Sequence, residues 1–370
     1  MSNIYIPPLA YLLLFKLSNQ INFTSNNGEP ISVASACNEV ATVDGEIVSF
    51  QDQGDELMGA MSIDYLNGQK IIFDIDEDKE IRPLDGWEEE LLDIEFNNIN
   101  SEGLKENVVG IDSSALNVAE TESGSVYAVK AAASFLINNK RKYYRLGPFI
   151  AYIGPNNIGR IRGIVGARLP AYMMVADKQI AMGFLRSYME AMTIGRAARA
   201  LGKGIVMVDG ALKSPSFGPS SAALAQVMNR WKENIKFMGI SKTTHLRPIR
   251  PFYSALARLD GMKYADITEV INSISHGEYG RKYLVKFADD GFVFRVDLPY
   301  GLEPDLTFAS LKRSEVMSNG YPESLKIAHL LSIFSNAELM GVRGKVASRA
   351  SKVLFGEDIR RVLLGSLHIR

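Results

Sequence analysis

Three carboxylates stand where they could do chemistry together. Asp112 lies in Gly-Ile-Asp-Ser-Ser, directly after the apolar run Val108 to Ile111, and Asp209 lies in Val-Asp-Gly-Ala-Leu, directly after Ile205 to Val208. Glu190 belongs to a long apolar segment in which Phe184, Leu185, Tyr188, Met189 and Met192 leave only Arg186, Glu190 and Thr193 as a narrow polar stripe. Hard oxygen donors gathered from separate elements suit Mg²⁺ or Mn²⁺ and no soft metal. Phosphodiester hydrolysis is the chemistry such a group serves. One ion makes hydroxide available near neutral pH, and a second, about 3.5–4 Å away, stabilises the leaving oxygen.

The elements that must position these acids follow from the apolar patterning. Val108 to Ile111, Val126 to Phe135 and Phe149 to Gly154 read as three consecutive strands. A helix from Ala181 to Leu201 follows, then a strand Gly204 to Val208, a helix Ser220 to Ile235 and a strand Phe237 to Ser241. Tyr283 to Phe287 and Phe292 to Val296 form a hairpin around Asp290-Gly291, and a last helix starts at Pro322 and runs to Met340. Three strands, helix, strand, helix, strand is the order of an RNase H-like fold. If the Val108 and Gly204 strands are parallel neighbours, the helix over Ala181 to Leu201 supplies their crossover. Asp112 and Asp209 then emerge at one carboxyl edge, where open α/β sheets form their sites.

Taken singly, each acid has a plainer explanation. Asp209-Gly210 is an ordinary strand-ending turn, Asp112-Ser113-Ser114 a turn with self-bonding side chains. Arg186 and Glu190 have the spacing of a helical ion pair. The plain explanations weaken jointly, because one fold would bring all three acids together.

Composition bounds the rest. The chain has 370 residues, 46% hydrophobic and 22% charged, so a disordered chain, a collagen-like fibre and an all-charge coiled coil are excluded. The lone Cys37 excludes a disulfide framework and a Cys-rich zinc cage, and suits a reducing cytoplasm. The apolar start from Ile6 is broken by Pro7 and Pro8 and is too short to span a bilayer, and no other stretch is long enough. The net charge of -1 conceals a division: Asp44 to Glu106 holds 19 acids and 4 bases, leaving 23 acids and 37 bases elsewhere. Either the two solvated parts attract each other, or the basic part holds a polyanion while the acidic part covers it or docks a basic partner.

These shifts divide the chain into an apolar segment and linker over 1–40, an acidic β-rich module over 41–106, an α/β core over 107–340 and a basic tail over 341–370. In the acidic module, Glu46 to Phe50, Gln69 to Asp74 and Leu91 to Phe96 read as short antiparallel strands. Lys140, Arg141, Lys142 and Arg145 interleave with Tyr143 and Tyr144, a mixture able to contact phosphates and stack bases. Arg160, Arg162 and Arg168 follow in a glycine-containing loop, and Arg343, Lys345, Arg349 and Lys352 lie on the tail. Any one cluster is equally a soluble hairpin or helix face. No recognition helix or zinc finger points to base reading. Walker A, Gly-x-Ser-x-Gly and His-Glu-x-x-His patterns are absent. An actin-like or sugar-kinase ATPase would need a second copy of the fold, for which the chain from Asn107 is too short.

Five short motifs in order resemble the NurA nuclease family from about Val108 to Met340. They are Gly110-Ile-Asp-Ser-Ser114, Tyr188-Met-Glu190, Val206-Met-Val-Asp-Gly210, Gly239-Ile-Ser-Lys-Thr243 and Tyr321-Pro-Glu-Ser-Leu-Lys-Ile-Ala-His329. The resemblance implies a 5′ to 3′ DNA exonuclease with an RNase H-like core, active on single strands as an endonuclease, working in DNA end resection with the hexameric translocase HerA. Asp112, Glu190 and Asp209 would then be manganese (or magnesium) ligands, for two ions per site. His329 would complete the site as ligand or proton carrier, Lys242 would hold the scissile phosphate, and Tyr321 would belong to the catalytic set. The resemblance also implies a homodimer enclosing a basic channel, with Ile6 to Leu17 a candidate dimer or translocase contact. The family often has a hydroxyl residue after the second Asp-Gly, where Ala211 stands here. On the residues alone, a histidine beside Ala328 and Leu330 is more often structural than a ligand, Tyr321 could be a packed helix entry and Lys242 a solvated lysine, although its place in Ser-Lys-Thr at the end of a buried strand favours a role. The alternative class is a non-catalytic adaptor that keeps the fold and docks the translocase.

Overall fold

The computed structural model describes residues 59–66, 70–73, 94–100, 102–121, 123–165, 168–212, 220–242, 249–274, 279–350 and 352–355. After a short 3-10 turn Ile63–Leu66, the strands β1 (Lys70–Phe73) and β2 (Phe96–Asn98) precede three long strands, β3 (Val108–Thr121), β4 (Ser125–Ile137) and β5 (Lys140–Ile153). Helices α1 (Ile158–Val165), α2 (Arg168–Ala176) and α3 (Lys178–Leu201) then lead to β6 (Gly204–Asp209), α4 (Ser220–Trp231) and β7 (Ile235–Ser241). Next come α5 (Arg250–Arg258), β8 (Lys263–Asp266), α6 (Thr268–Ile274), β9 (Arg281–Lys286), β10 (Val293–Leu298) and α7 (Pro304–Ser314). The two-residue pair β11 (Met317–Ser318) and β12 (Tyr321–Pro322) introduces α8 (Glu323–Ser332), α9 (Asn336–Ala347) and β13 (Lys352–Phe355).

The order β5-β4-β3-β6-β7 is that of an RNase H-like sheet, antiparallel through β5, β4 and β3 and parallel through β3, β6 and β7. β10, β9, β8 and β2 extend it beyond β7, every pair antiparallel. The predicted crossover helix is α3, begun by an Asp177 side chain that accepts from the Gln179 and Ile180 N–H groups. One face of the sheet is covered by α3 and α4: Ile194, Ala197 and Leu224 pack on Val109, Ile111, Val206 and Phe237. On the other face Phe308 of α7, Tyr321 of β12 and Leu325 of α8 pack on Val108, Met207 and Val285.

Several elements differ from expectation. The three leading strands are much longer than their apolar cores, because hairpin pairing carries them through polar residues at both ends. Arg160, Arg162 and Arg168 lie on helices α1 and α2 instead of a loop, and Arg343 and Lys345 lie on α9. The single helix expected over Pro322 to Met340 is two. It breaks because Ser335 caps a new helix in a reciprocal box with Glu338, while the Lys130 Nζ ties the Ile333 carbonyl at 2.5 Å. Of the acidic segment, β1 joins β13 and the far end of β3, and β2 joins β8. The strand expected over Glu46 to Phe50, the segment over Ile6 to Leu17 and Cys37 lie outside the described residues.

Candidate metal centre

Register places the two aspartates. β3 and β6 pair in parallel from Val108↔Ile205 to Ile111↔Val208, so Asp112 and Asp209 are the next residues on neighbouring strands. Strand alternation puts Val108, Gly110 and Asp112 on one face and Ile205, Met207 and Asp209 on that same face. β6 ends at Asp209, but β3 continues, and it meets β1 only at Glu120 and Thr121. Among the described residues, its edge from Asp112 to Ala119 is therefore unpaired on that side, leaving a notch beside the acids, with Ser114, Ala115, Leu116 and Asn117 half-buried.

The helix α8 closes the site from above. His329 Nδ1 lies 2.8 Å from Asp112 Oδ2 and 3.5 Å from Asp209 Oδ2. The Ser332 hydroxyl donates to Asp112 Oδ2 at 2.7 Å, and the Ser113 N–H donates to Asp112 Oδ1 at 2.8 Å. Asp209 accepts from Lys242 Nζ at 2.5 Å and from the Tyr321 hydroxyl at 2.9 Å. The Lys242 ammonium also lies 5.2 Å from the Tyr321 ring centroid. One donor atom from each of Asp112, Asp209 and His329 lies within 4.8 Å of the others. Two carboxylates and an imidazole, with no thiol, fit a hard or borderline divalent cation such as Mn²⁺.

Two glycines make these approaches possible. A Cβ on Gly110 would lie 2.5 Å from the Leu325 backbone nitrogen, so only glycine lets α8 come this close to β3. A Cβ on Gly239 would lie 2.7 Å from the Gly210 carbonyl oxygen, in the turn that follows Asp209. That turn is pinned further by Asp297, which is fully buried, accepts the Leu212 N–H at 3.1 Å and pairs with Arg295 at 2.8 Å.

Glu190 is arranged differently. It stands on α3, across β3 from α8, and its Oε2 accepts the Ser113 hydroxyl at 2.9 Å. Alternation explains the linkage, since Ser113 points to the α3 face when Asp112 points to the α8 face. Desolvation pushes the Glu190 carboxyl up to about 7, against the lowering influence of Arg186 and Ser113 and with a smaller raising contribution from Asp112 and Asp209. Burial also raises the Tyr321 hydroxyl, and the neighbouring Asp209 adds to it, so the hydroxyl stays a donor. Thr193, read as part of a polar stripe, is buried and donates to the Met189 carbonyl.

The model of the NurA domain matches residues 106–332, more than half of the chain. The chain belongs to the NurA family. It is a metal-dependent nuclease, a hydrolase that binds DNA. Solved structures similar to it include a NurA nuclease from Sulfolobus solfataricus, at 16% identity and TM-score 0.48, with 82% of this chain and 95% of that chain covered. A NurA bound to dAMP and manganese is similar at 9% identity and TM-score 0.42, with 65% and 88% covered. An endonuclease V from Streptomyces avermitilis is similar at 14% identity and TM-score 0.32, with 79% and 93% covered. No curated protein matches the chain. Among the described residues no helix is long and apolar enough to cross a membrane.

Within this NurA domain the basic cluster on β5 is divided by strand alternation. Lys140 and Lys142 are exposed, and they lie at the hairpin end of the sheet where Leu136 meets Val108, the end opposite the acids. Arg141 pairs with Glu315, just after α7, at 3.2 Å and with Glu323 at the start of α8 at 2.5 Å. Arg145 pairs with Glu338 of α9, and Tyr144 accepts from Arg196 of α3 at 3.0 Å. Arg160 is exposed and Arg162 half-buried on α1. The residues that sequence reasoning missed are Ser332 and Ser113, the hydroxyls that orient the two sets of carboxylates. Ser332 stands three residues after His329, one helical turn along, and that spacing was the only available signal.

Proposed function

We propose that this nuclease is a 5′ to 3′ DNA exonuclease with endonuclease activity on single strands, acting in DNA end resection beside a HerA-type hexameric ATPase. The observation that carries the reading is the convergence of Asp112, Asp209 and His329 donor atoms within 4.8 Å at an open strand edge. We assign the metal ligands to Asp112, Asp209 and His329, with Glu190 completing the set from the far face of β3, for two Mn²⁺ or Mg²⁺ ions. Bound there, such ions supply hydroxide near neutral pH and offset the charge gathering on the phosphate.

The side chains themselves do the rest. Ser332 holds Asp112 in one rotamer, and Tyr321, unable to ionise near neutral pH, holds Asp209 as a pure donor. Lys242 neutralises Asp209 until a substrate arrives and then turns to the scissile phosphate, its side chain being 38% exposed and able to move. Backbone phosphates rest on the exposed cations Lys140, Lys142 and Arg160 and on the half-buried Arg162, without base reading. In the same reading Arg141 and Arg145 serve mainly to hold α8 and α9. The protein acts in the cytoplasm as a homodimer around a basic channel.

The test is cleavage of end-labelled linear DNA with Mn²⁺. The intact protein releases nucleotides progressively from the 5′ end, and Asp112→Ala or Asp209→Ala loses cleavage by on the order of a thousandfold while still binding DNA, the scale of removing one preorganised electrostatic contact. Binding without cleavage by the intact protein would instead make it an adaptor of the translocase.

A further inference from the structure

Arg186 has the spacing of an ion-pair partner for Glu190, one turn away on α3, yet the pair is not closed. Glu190 gives its Oε2 to the Ser113 hydroxyl, and Arg186 is exposed with no hydrogen bond or ion pair to any described residue. What links the two is a longer-range attraction that favours the Glu190 carboxylate.

The direction of α3 says where this free guanidinium lies. Residues Ile194 to Leu201 of α3 pack over the start of β3 at Val109 and Ile111, whereas Phe184 to Met192 pack over Tyr127, Val129 and Ala131 of β4, further along the hairpin. Arg186 therefore stands about 6 Å beyond Glu190 along the helix axis, on the stretch of hairpin where the β3 edge from Asp112 to Ala119 is unpaired. Across the acids from it, Lys242 follows β7. The carboxylate cluster is thus flanked by one cation tied to Asp209 and one cation that has no hydrogen bond or ion pair among the described residues.

A nucleic-acid strand laid across the notch brings a row of phosphates past both. A guanidinium offers paired N–H donors that match a phosphodiester in fork geometry, and unlike Lys242 it would not first have to leave a carboxylate. We propose that Arg186 is a substrate-binding residue that holds the phosphodiester adjacent to the scissile one. The proposal rests on the nuclease reading above for which phosphate is cut, but not for the contact itself.

Fluorescence anisotropy of a labelled single-stranded oligonucleotide tests it, in the Asp209→Asn background so that cleavage does not interfere. Arg186→Ala is expected to weaken binding about tenfold, the worth of a hydrogen bond to a charged group. It should also flatten the plot of log affinity against log salt by about 0.7, one phosphate contact on a single strand. Arg186→Lys, which keeps the charge, should retain the salt slope and recover part of the affinity. Lys232→Ala makes the same charge change in the exposed turn before β7, at the other end of the sheet, and is the control for net charge. Binding by Arg186→Ala equal to the parent, or weakened no more than by Lys232→Ala, overturns the proposal. So does a shift in the pH profile of cleavage by Arg186→Ala with Asp209 intact, at unchanged affinity, since Arg186 would then act only through Glu190. Failure of the intact chain to cleave while Arg186→Ala still weakens binding would sink the nuclease reading and leave this contact standing.

Discussion

Two charged clusters lie against the C-terminal turn of the helix α8, and they are built to opposite rules. At the Ile333 end, Glu338 is met by Lys130 at 2.9 Å, by Arg145 and by the Ser335 N–H at 2.9 Å, while Lys130 also donates to the Ile333 carbonyl. One carboxylate there receives two cations and a backbone donor. At the His329 and Ser332 face, Asp112 and Asp209 share one lysine, one imidazole and hydroxyl donors, with Glu190 near enough to add repulsion. The first cluster leaves its carboxylate fully compensated and is largely closed to solvent, with Lys130 and Glu338 side chains 2% and 8% exposed. The second holds excess negative charge beside an open strand edge. Ion pairs alone therefore do not mark a functional site; an uncompensated one does, because only it gains from an added cation.

Breaking the closed cluster should give the largest effect. Lys130→Met removes one partner of a buried pair and frees the C-terminal end of α8, and should cost about 3–5 kcal/mol of stability, read from urea unfolding. A loss under 1 kcal/mol would mean that Arg145 alone satisfies Glu338, and the distinction between the clusters would narrow.

The open cluster should respond in function before stability. Ser332→Ala leaves Asp112 free to rotate and should weaken Mn²⁺ binding about tenfold to a hundredfold, the usual cost of losing a hydrogen bond behind a metal ligand. Titrating Mn²⁺ by calorimetry reads this directly, and excess metal should restore much of the cleavage rate. Unchanged affinity would show that Asp112 is already fixed by the Ser113 N–H.

The smallest effects are those of pH, and their signs oppose one another. Glu190 has its folded pKa raised to about 7, above its ordinary 4.5, so in metal-free protein its contribution to stability is complete below 4.5 and is lost as pH rises through 7. Burial would raise Glu338 too, but the Ser335 N–H, Lys130 and Arg145 outweigh it and hold the carboxyl at about 2. Its contribution is present above 4.5 and is lost as pH falls through 2. Thermal melts across pH should show Glu190→Gln flattening the neutral side of the profile and Glu338→Gln the acid side, each by about 1 kcal/mol after solvent screening. The same side affected by both variants would contradict the contrast.

Much of the arrangement was legible in the chain. The strand order β3 to β7, the crossover helix and the placing of Asp112 and Asp209 at one carboxyl edge follow from apolar runs punctuated by Asp-Gly and Asp-Ser. Gly110 and Gly239 belong to the quoted motifs, but their reason, the close passage of α8 and of the Asp209 turn, needs the packed structure. The break in the last helix was not legible, because Leu330 to Phe334 continue an apolar pattern and the interruption is enforced by Lys130 from a distant strand. Nor was the division of the Lys140 to Arg145 cluster, which looked like a single basic patch.

By itself the sequence determined which residues offer hard oxygen donors and which strands can stand side by side, since both depend on side-chain chemistry and short-range periodicity. Tertiary structure decided what each charge does. Arg141 and Arg145 became struts and Arg186 found no ion pair among the described residues, while Ser332 reached Asp112 and Ser113 reached Glu190. The reason is that a charge acts according to its partners and its access to water, and those are fixed by contacts between residues as far apart as Lys130 and Glu338, which no local pattern encodes.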